Sequence, residues 1–328
     1  MAGGASTPAL VASVAACGGM GFLAAGYKTP TLLAQQIGDV RNRSGHPFGV
    51  NVFVPQPPPG DPAGVERFRR DLEPAAAAAG IDLPPTRITD DDRFDDKIAL
   101  LCERRVAVIS FTFGLPPAEV VDALRLVGSS VIATVTSVVE ARQADALGVD
   151  ALCVQGPEAG GHRGTFVIDD EPGTVPLPEL VSAIRAESGL PIIAAGGIHS
   201  GEQMSTLLAA GAAAVQLGTA FLRTDESGAN QTHQDALAAA RFDRTVITRA
   251  FSGRAARGLL NAFILEHGAG APRAYPQVHH LTALLRADAA RRDDPDGLAL
   301  WAGTGFRSAE TGPAAGVVSR LWAEFGRR

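Results

Sequence analysis

The sequence predicts an α/β protein, a (β/α)8 TIM barrel with its first strand apparently truncated and a small, mostly helical subdomain attached. Three observations lead there. Short apolar runs alternate with amphipathic segments over most of the 328 residues, as in chains of βα units. The runs are continuously apolar, as strands covered on both faces must be. The last two runs end in glycine turns, which in barrels of this class form the phosphate site.

Taken in order, the candidate strands are residues 21–24, 48–54, 106–111, 131–135, 151–155, 192–195 and 214–217. An apolar helix from Pro8 to Ala16 precedes the first, and a barrel places another strand before that helix. The clearest of the intervening helices cover 117–126, 138–147, 177–187 and 202–210, several of them stopping at glycine. Residues 55–85 read as an insertion with a helix over 63–79, capping one end of the barrel. The expected division is a barrel over 1–221, a helical subdomain over 222–300, and a segment over 301–328 whose closing helix packs back on the barrel.

Composition narrows the class of function. Apolar residues make up 46% and charged residues 20%, as in ordinary globular enzymes. The net charge of -6, without a basic stripe, speaks against nucleic acid as a partner. Residues 1–27 carry no basic residue, so they lack the charged start of a signal peptide. No run reaches the roughly 20 apolar residues of a membrane span. Cys17, Cys102 and Cys153 are far apart, with no ligand spacing. A cytoplasmic protein without metal or membrane partner is expected. Cys153 reads as a buried apolar residue, with a nucleophile as the minor reading.

Chemistry concentrates at the strand ends. Gly196-Gly197 follows one strand, and Gln216-Leu217-Gly218-Thr219 closes the next. Both offer backbone N–H groups to an anion, or else simply make tight turns. The preceding strand runs into Gln155-Gly156-Pro157-Glu158-Ala159-Gly160-Gly161-His162-Arg163-Gly164. A histidine beside two glycines at a strand end is placed to exchange a proton with a ligand, although it can also serve only to bind a neighbouring loop. Asn51 and Gln155 are amides in apolar strands, satisfied either by a heteroaromatic ring edge or by adjacent backbone. Phe113 and Gly114 reach the same mouth and belong to a pocket or to the core. His199, His233, His279 and His280 read as surface or structural residues.

These segments, with Gly49-Val50-Asn51, Phe113-Gly114-Leu115-Pro116 and Trp301-Ala302-Gly303-Thr304-Gly305, resemble the nitronate monooxygenases, class I in particular. The resemblance implies an FMN-dependent enzyme that oxidises alkyl nitronates such as propionate 3-nitronate with O2 to a carbonyl compound and nitrite. It implies a catalytic role for His162 and flavin contacts from Asn51, Gln155, Gly160, Gly161, Gly196 and Gly197. Gln216, Leu217, Gly218 and Thr219 would take the phosphate end. Nitronate and O2 are then the partners, and the protein a monomer or homodimer. A substrate-facing tyrosine has to be Tyr27 or Tyr275, as there are no others. The alternatives are an FMN-dependent NAD(P)H:quinone or enoyl-thioester reductase, or a non-catalytic flavin- or phosphate-binding module. Family members begin with a strand ending in Ala-Pro-Met-Ala-Gly, whereas this sequence opens on Met1-Ala2-Gly3-Gly4. The expectation is a native start upstream, or a first-strand position left partly empty or filled from elsewhere.

Overall fold

Strands form where Val, Ile, Leu, Phe and Ala are strung together, and the computed structural model describes residues 1–87 and 89–326. The end of the expected closing segment, residues 327 and 328, lies outside the described residues. Among these, the strands in chain order are β1 (Phe22–Ala24), β2 (Gly49–Phe53), β3 (Val108–Thr112), β4 (Ser130–Val135), β5 (Ala151–Gln155), β6 (Gly161–His162), β7 (Ile192–Ala195), β8 (Ala214–Gln216), β9 (Thr245–Thr248) and β10 (Ala256–Leu259).

Seven of them make one curled parallel sheet in the order β1-β2-β3-β4-β5-β7-β8. Every run expected to be a strand is in it. The described residues place no strand between the two edges, β1 and β8. Across the convex face the register aligns Val52, Phe111, Ala133, Leu152 and Ile192, all buried against the helices. The concave face alternates with it and holds a small cluster of Val108, Ile132, Cys153 and Ala195. The Phe22 ring occupies the place of a side chain on Gly49, 2.2 Å from where its Cβ would stand. Above this plug, toward the carboxyl ends of the strands, the concave face turns polar.

The helices of the outer layer are set by local signals. Thr7, Ser137 and Ser200 each accept an N-terminal N–H, and Gly148 closes its helix in the left-handed conformation. The last helix, Ala314–Phe325, returns to the start of helix Gly201–Ala209, where Gly201 N donates to Glu324 at 2.8 Å. No helix among the described residues is long and apolar enough to cross a membrane.

Two regions depart from the sequence reading. The insertion helix is two helices, Pro62–Asp71 and Glu73–Ala78, broken ahead of Pro74, which has no N–H to continue the ladder. They do not lie alone over one end of the barrel. Val65, Phe68, Leu72 and Ala76 share a second core with Phe251, Phe263, Val278 and Leu281. The region after Phe221 carries strands as well as helices. The β9–β10 hairpin pairs antiparallel, and β10 continues onto β6, aligning Ala256 with His162.

Candidate active site

The polar rim begins at Asn51, whose amide nitrogen donates to Ser110 Oγ and Thr112 Oγ1, each at 2.9 Å. Thr112 and Thr134 hydroxyls meet at 3.2 Å, continuing the row toward β5. There Gln155 clamps the loop that follows it. Its Nε2 donates to His162 O at 3.0 Å, and its Oε1 accepts from Gly164 N at 2.9 Å. The guanidinium of Arg163, 1% exposed, donates beneath the loop to the carbonyls of Gly156 and Gln155. The turn that carries His162 is thus fixed from both sides.

His162 lies in a cage of rings. Phe113, Tyr275 and Trp301 have centroids 5.8, 5.6 and 5.4 Å from the imidazole. Its Nε2 is 2.8 Å from Ser252 Oγ. Burial and the nearby Arg254 and Arg286 guanidinium groups push its pKa down to about 3, so the ring is neutral at physiological pH.

Arg254, 1% exposed, lies over the Phe113 ring at 4.2 Å and donates to Thr165 O and to Gln56 Oε1, the latter at 2.9 Å. Arg286 donates to His279 O at 2.9 Å and to Thr282 Oγ1. Burial lowers the Arg254 pKa to about 10, which leaves it a cation. Among the described residues, the hydrogen bonds of both guanidinium groups go to neutral partners. Tyr275 OH donates to Tyr27 OH at 2.9 Å, and Tyr27 stacks on His279 at 4.0 Å. Burial raises the Tyr27 pKa to about 12, so the phenol keeps its proton. Tyr27 and Phe113 have φ of 65° and 77°, a left-handed backbone that costs a non-glycine residue about 1 kcal/mol or more and is concentrated at functional sites.

The glycine turns adjoin the same place. A Cβ on Gly160 would stand 2.4 Å from Gly303 N, and one on Gly197 (φ 66°) would stand 2.7 Å from Glu158 Cβ. Gly303 N also donates to Thr219 Oγ1 at 3.0 Å, so the segment after Trp301 ties three turns together. Gly196 is left-handed as well, Gly218 lies beside Met1, and Gly161 has open space around it. Leu217 packs against the main core, and Gln216 faces Cys153. Cys153 is buried, and burial lifts its thiol to about 12, which keeps it protonated.

The profile of the nitronate monooxygenase family matches residues 1–324. The chain belongs to this family. A probable nitronate monooxygenase of Staphylococcus aureus is 37% identical over 325 residues, spanning 97% of this chain and 90% of its own length. The structure of nitroalkane oxidase from Streptomyces ansochromogenes is similar at a TM-score of 0.96 and 47% identity, covering 100% of this chain and 94% of that one. FabK from Thermotoga maritima is similar at 0.75 and 26%, covering 100% and 91%.

This nitronate monooxygenase family member surrounds its histidine with residues that carry no local sequence signal. Ser252 and Arg254 come from the hairpin, Tyr275 from the segment just before helix Gln277–Arg291, and Arg286 from that helix, all some ninety or more positions from His162. Tyrosine scarcity is a usable hint, since Tyr275 is in the cage and Tyr27 is hydrogen-bonded to it. His279, read as structural, stacks against Tyr27 behind the cage. His199 and His233 bond backbone carbonyls, as a structural reading requires.

Proposed function

We propose that the protein oxidises alkyl nitronates of the propionate 3-nitronate type with O2, giving a carbonyl compound and nitrite, with FMN as cofactor. The observation that carries this reading is a neutral histidine caged by aromatic rings beside two guanidinium groups whose hydrogen bonds, among the described residues, go to neutral partners. Sequestered cations hydrogen-bonded to neutral groups favour an anionic ligand. A neutral imidazole in the same cage keeps a lone pair for a proton, and an anionic ligand beside it would raise the proton affinity that burial and the two guanidinium groups depress.

The residues present fit a flavin mononucleotide. Left-handed glycines at 196 and 197 bare backbone N–H groups beside the turn at 217–219, as an anionic phosphate needs. A ring edge with donors and acceptors suits the amide row beginning at Asn51 and Gln155. Gly196, Gly197, Gln216, Leu217, Gly218 and Thr219 would hold the phosphate end, and Asn51, Gln155, Gly160 and Gly161 the ring system. When bound, the flavin supplies the redox chemistry between nitronate and O2.

The chain does the rest. His162 takes the α-proton of a neutral nitroalkane, or lies against a substrate that arrives as the nitronate. Arg254 and Arg286 draw the anion in, and Phe113, Tyr275 and Trp301 keep water away from it. The curled sheet and its helical cover support a (β/α)8 barrel with its first position between β1 and β8. We divide the chain into units over 1–221, 222–300 and 301–328, with residues 62–78 sharing one core of the second and Ala5, Ala302 and Phe306 another.

Propionate 3-nitronate should elicit O2 uptake with stoichiometric nitrite from the purified yellow protein. NADH consumption without nitronate turnover would overturn the reading in favour of a reductase.

A further inference from the structure

The β9–β10 hairpin does more than support β6. Its tip, Phe251-Ser252-Gly253-Arg254, folds back so that Ser252, 2% exposed, reaches the imidazole. The tip is held from outside: Thr282 Oγ1 donates to Phe251 O at 2.6 Å, and Gly253 presses so closely on Ala274 O that a Cβ would stand 2.2 Å away.

We propose that Ser252 is a positioning residue that fixes the tautomer of His162, making Nδ1 the atom that accepts the substrate proton. The inference rests on the reading of His162 as the base. Ser252 Oγ has three neighbours: His162 Nε2 at 2.8 Å, Arg254 O at 3.3 Å, and Arg254 N, which donates to it at 3.4 Å. A hydroxyl has one proton and two lone pairs. One lone pair takes the Arg254 N–H. If the proton goes to Arg254 O, the other lone pair accepts Nε2–H of His162, and all three contacts are satisfied.

The opposite arrangement points the hydroxyl proton at Nε2. The Arg254 carbonyl then loses its contact from Ser252, and the imidazole proton moves to Nδ1. A histidine in that state presents no lone pair to a substrate, because its one free pair is bound to Ser252. Among the described residues, Nε2 alone of the two ring nitrogens has a hydrogen-bond partner. The first arrangement therefore leaves the Nδ1 lone pair available inside the cage. In the step it serves, the Cα–H bond of a neutral nitroalkane breaks, Nδ1–H forms, and the bonding pair moves into the nitro group to give the nitronate. No oxidant enters.

The test needs a reading of the tautomer apart from turnover. Imidazole 15N shifts of the substrate-free protein, labelled at histidine, distinguish the protonated from the bare nitrogen. Wild type should show His162 protonated on Nε2; protonation on Nδ1 would overturn the proposal. In Ser252→Ala this tautomer should be lost or mixed, and Ser252→Thr, which keeps the hydroxyl, should restore it. Kinetically, kcat/KM for a neutral nitroalkane relative to its preformed nitronate should fall by about tenfold to a hundredfold in Ser252→Ala and recover in Ser252→Thr. Equal loss on both substrates, or an unchanged tautomer in Ser252→Ala, would make Ser252 merely structural and defeat the proposal. Failure of the underlying reading looks different: His162→Asn would still deprotonate nitroalkanes, whatever tautomer the wild type shows.

Discussion

Removing the Arg254 guanidinium acts on the proton affinity of His162, on the carbonyl of Thr165 that it satisfies and, on the proposed reading, on the bound anion. Arg254→Gln should therefore raise KM for propionate 3-nitronate by about tenfold, since a hydrogen bond to a charged group contributes roughly 1.5–3 kcal/mol. Steady-state O2 uptake checks this, and an unchanged KM would take Arg254 out of substrate binding. His162→Asn keeps the shape of the turn but cannot accept a proton. It should remain yellow while turnover of neutral nitroalkanes falls by about a hundredfold or more; a visible spectrum and nitrite release measure the two separately. At this scale the sequence was readable where chemistry and local pattern coincide. His162 announced itself through the glycines before it. Ser252 and Arg254 did not, because their roles arise from a fold-back contact with residue 162 that no local periodicity records.

Elements tell a similar story. The seven parallel strands were legible because each is a mostly apolar run of consecutive residues. By contrast β6 is two residues long, and β10 contains Arg257 beside glycine, so neither carries a strand's apolar signature. Their pairing is fixed by tertiary contact. The insertion was visible as a break in rhythm, but its partner core was not, since Val65 and Phe68 meet Phe251 and Val278 from far along the chain. The hairpin tip gives a sharp test at this scale. Gly253 has φ 79° and no room for a Cβ. Gly253→Ala should destabilise the protein by about 2 kcal/mol or more and depress nitroalkane turnover, as urea denaturation and kinetics will show. Full stability in that variant would mean that the tip can shift freely.

For the whole molecule, histidines sequestered by folding contribute to the acid response, His267 among them. Burial lowers His162 to about 3, His233 to about 4 and His279 to about 2. Each binds a proton in the unfolded chain near pH 6.5 but not in the folded one. Stability is thus fully present above that pH and is lost as pH falls toward the folded values. Between pH 6.5 and 5 the loss should be about 1–2 kcal/mol per histidine. Urea midpoints at pH 7, 6 and 5 should decline together with net proton uptake on unfolding. A flat profile would contradict the burial of these rings.

The pairing of Ala256 with His162 has an evolutionary consequence. On the proposed reading the base sits in a barrel loop whose short strand pairs with the hairpin, while the glycine cradle lies in the barrel alone. Drift in the hairpin and the helix behind it can retune which carbon acid is accepted, and the cradle need not change with it. Natural variation in substrate range should therefore collect between residues 245 and 286, and variation in cofactor retention around 196–219. One chain thus carries two parts of its chemistry that selection can revise independently.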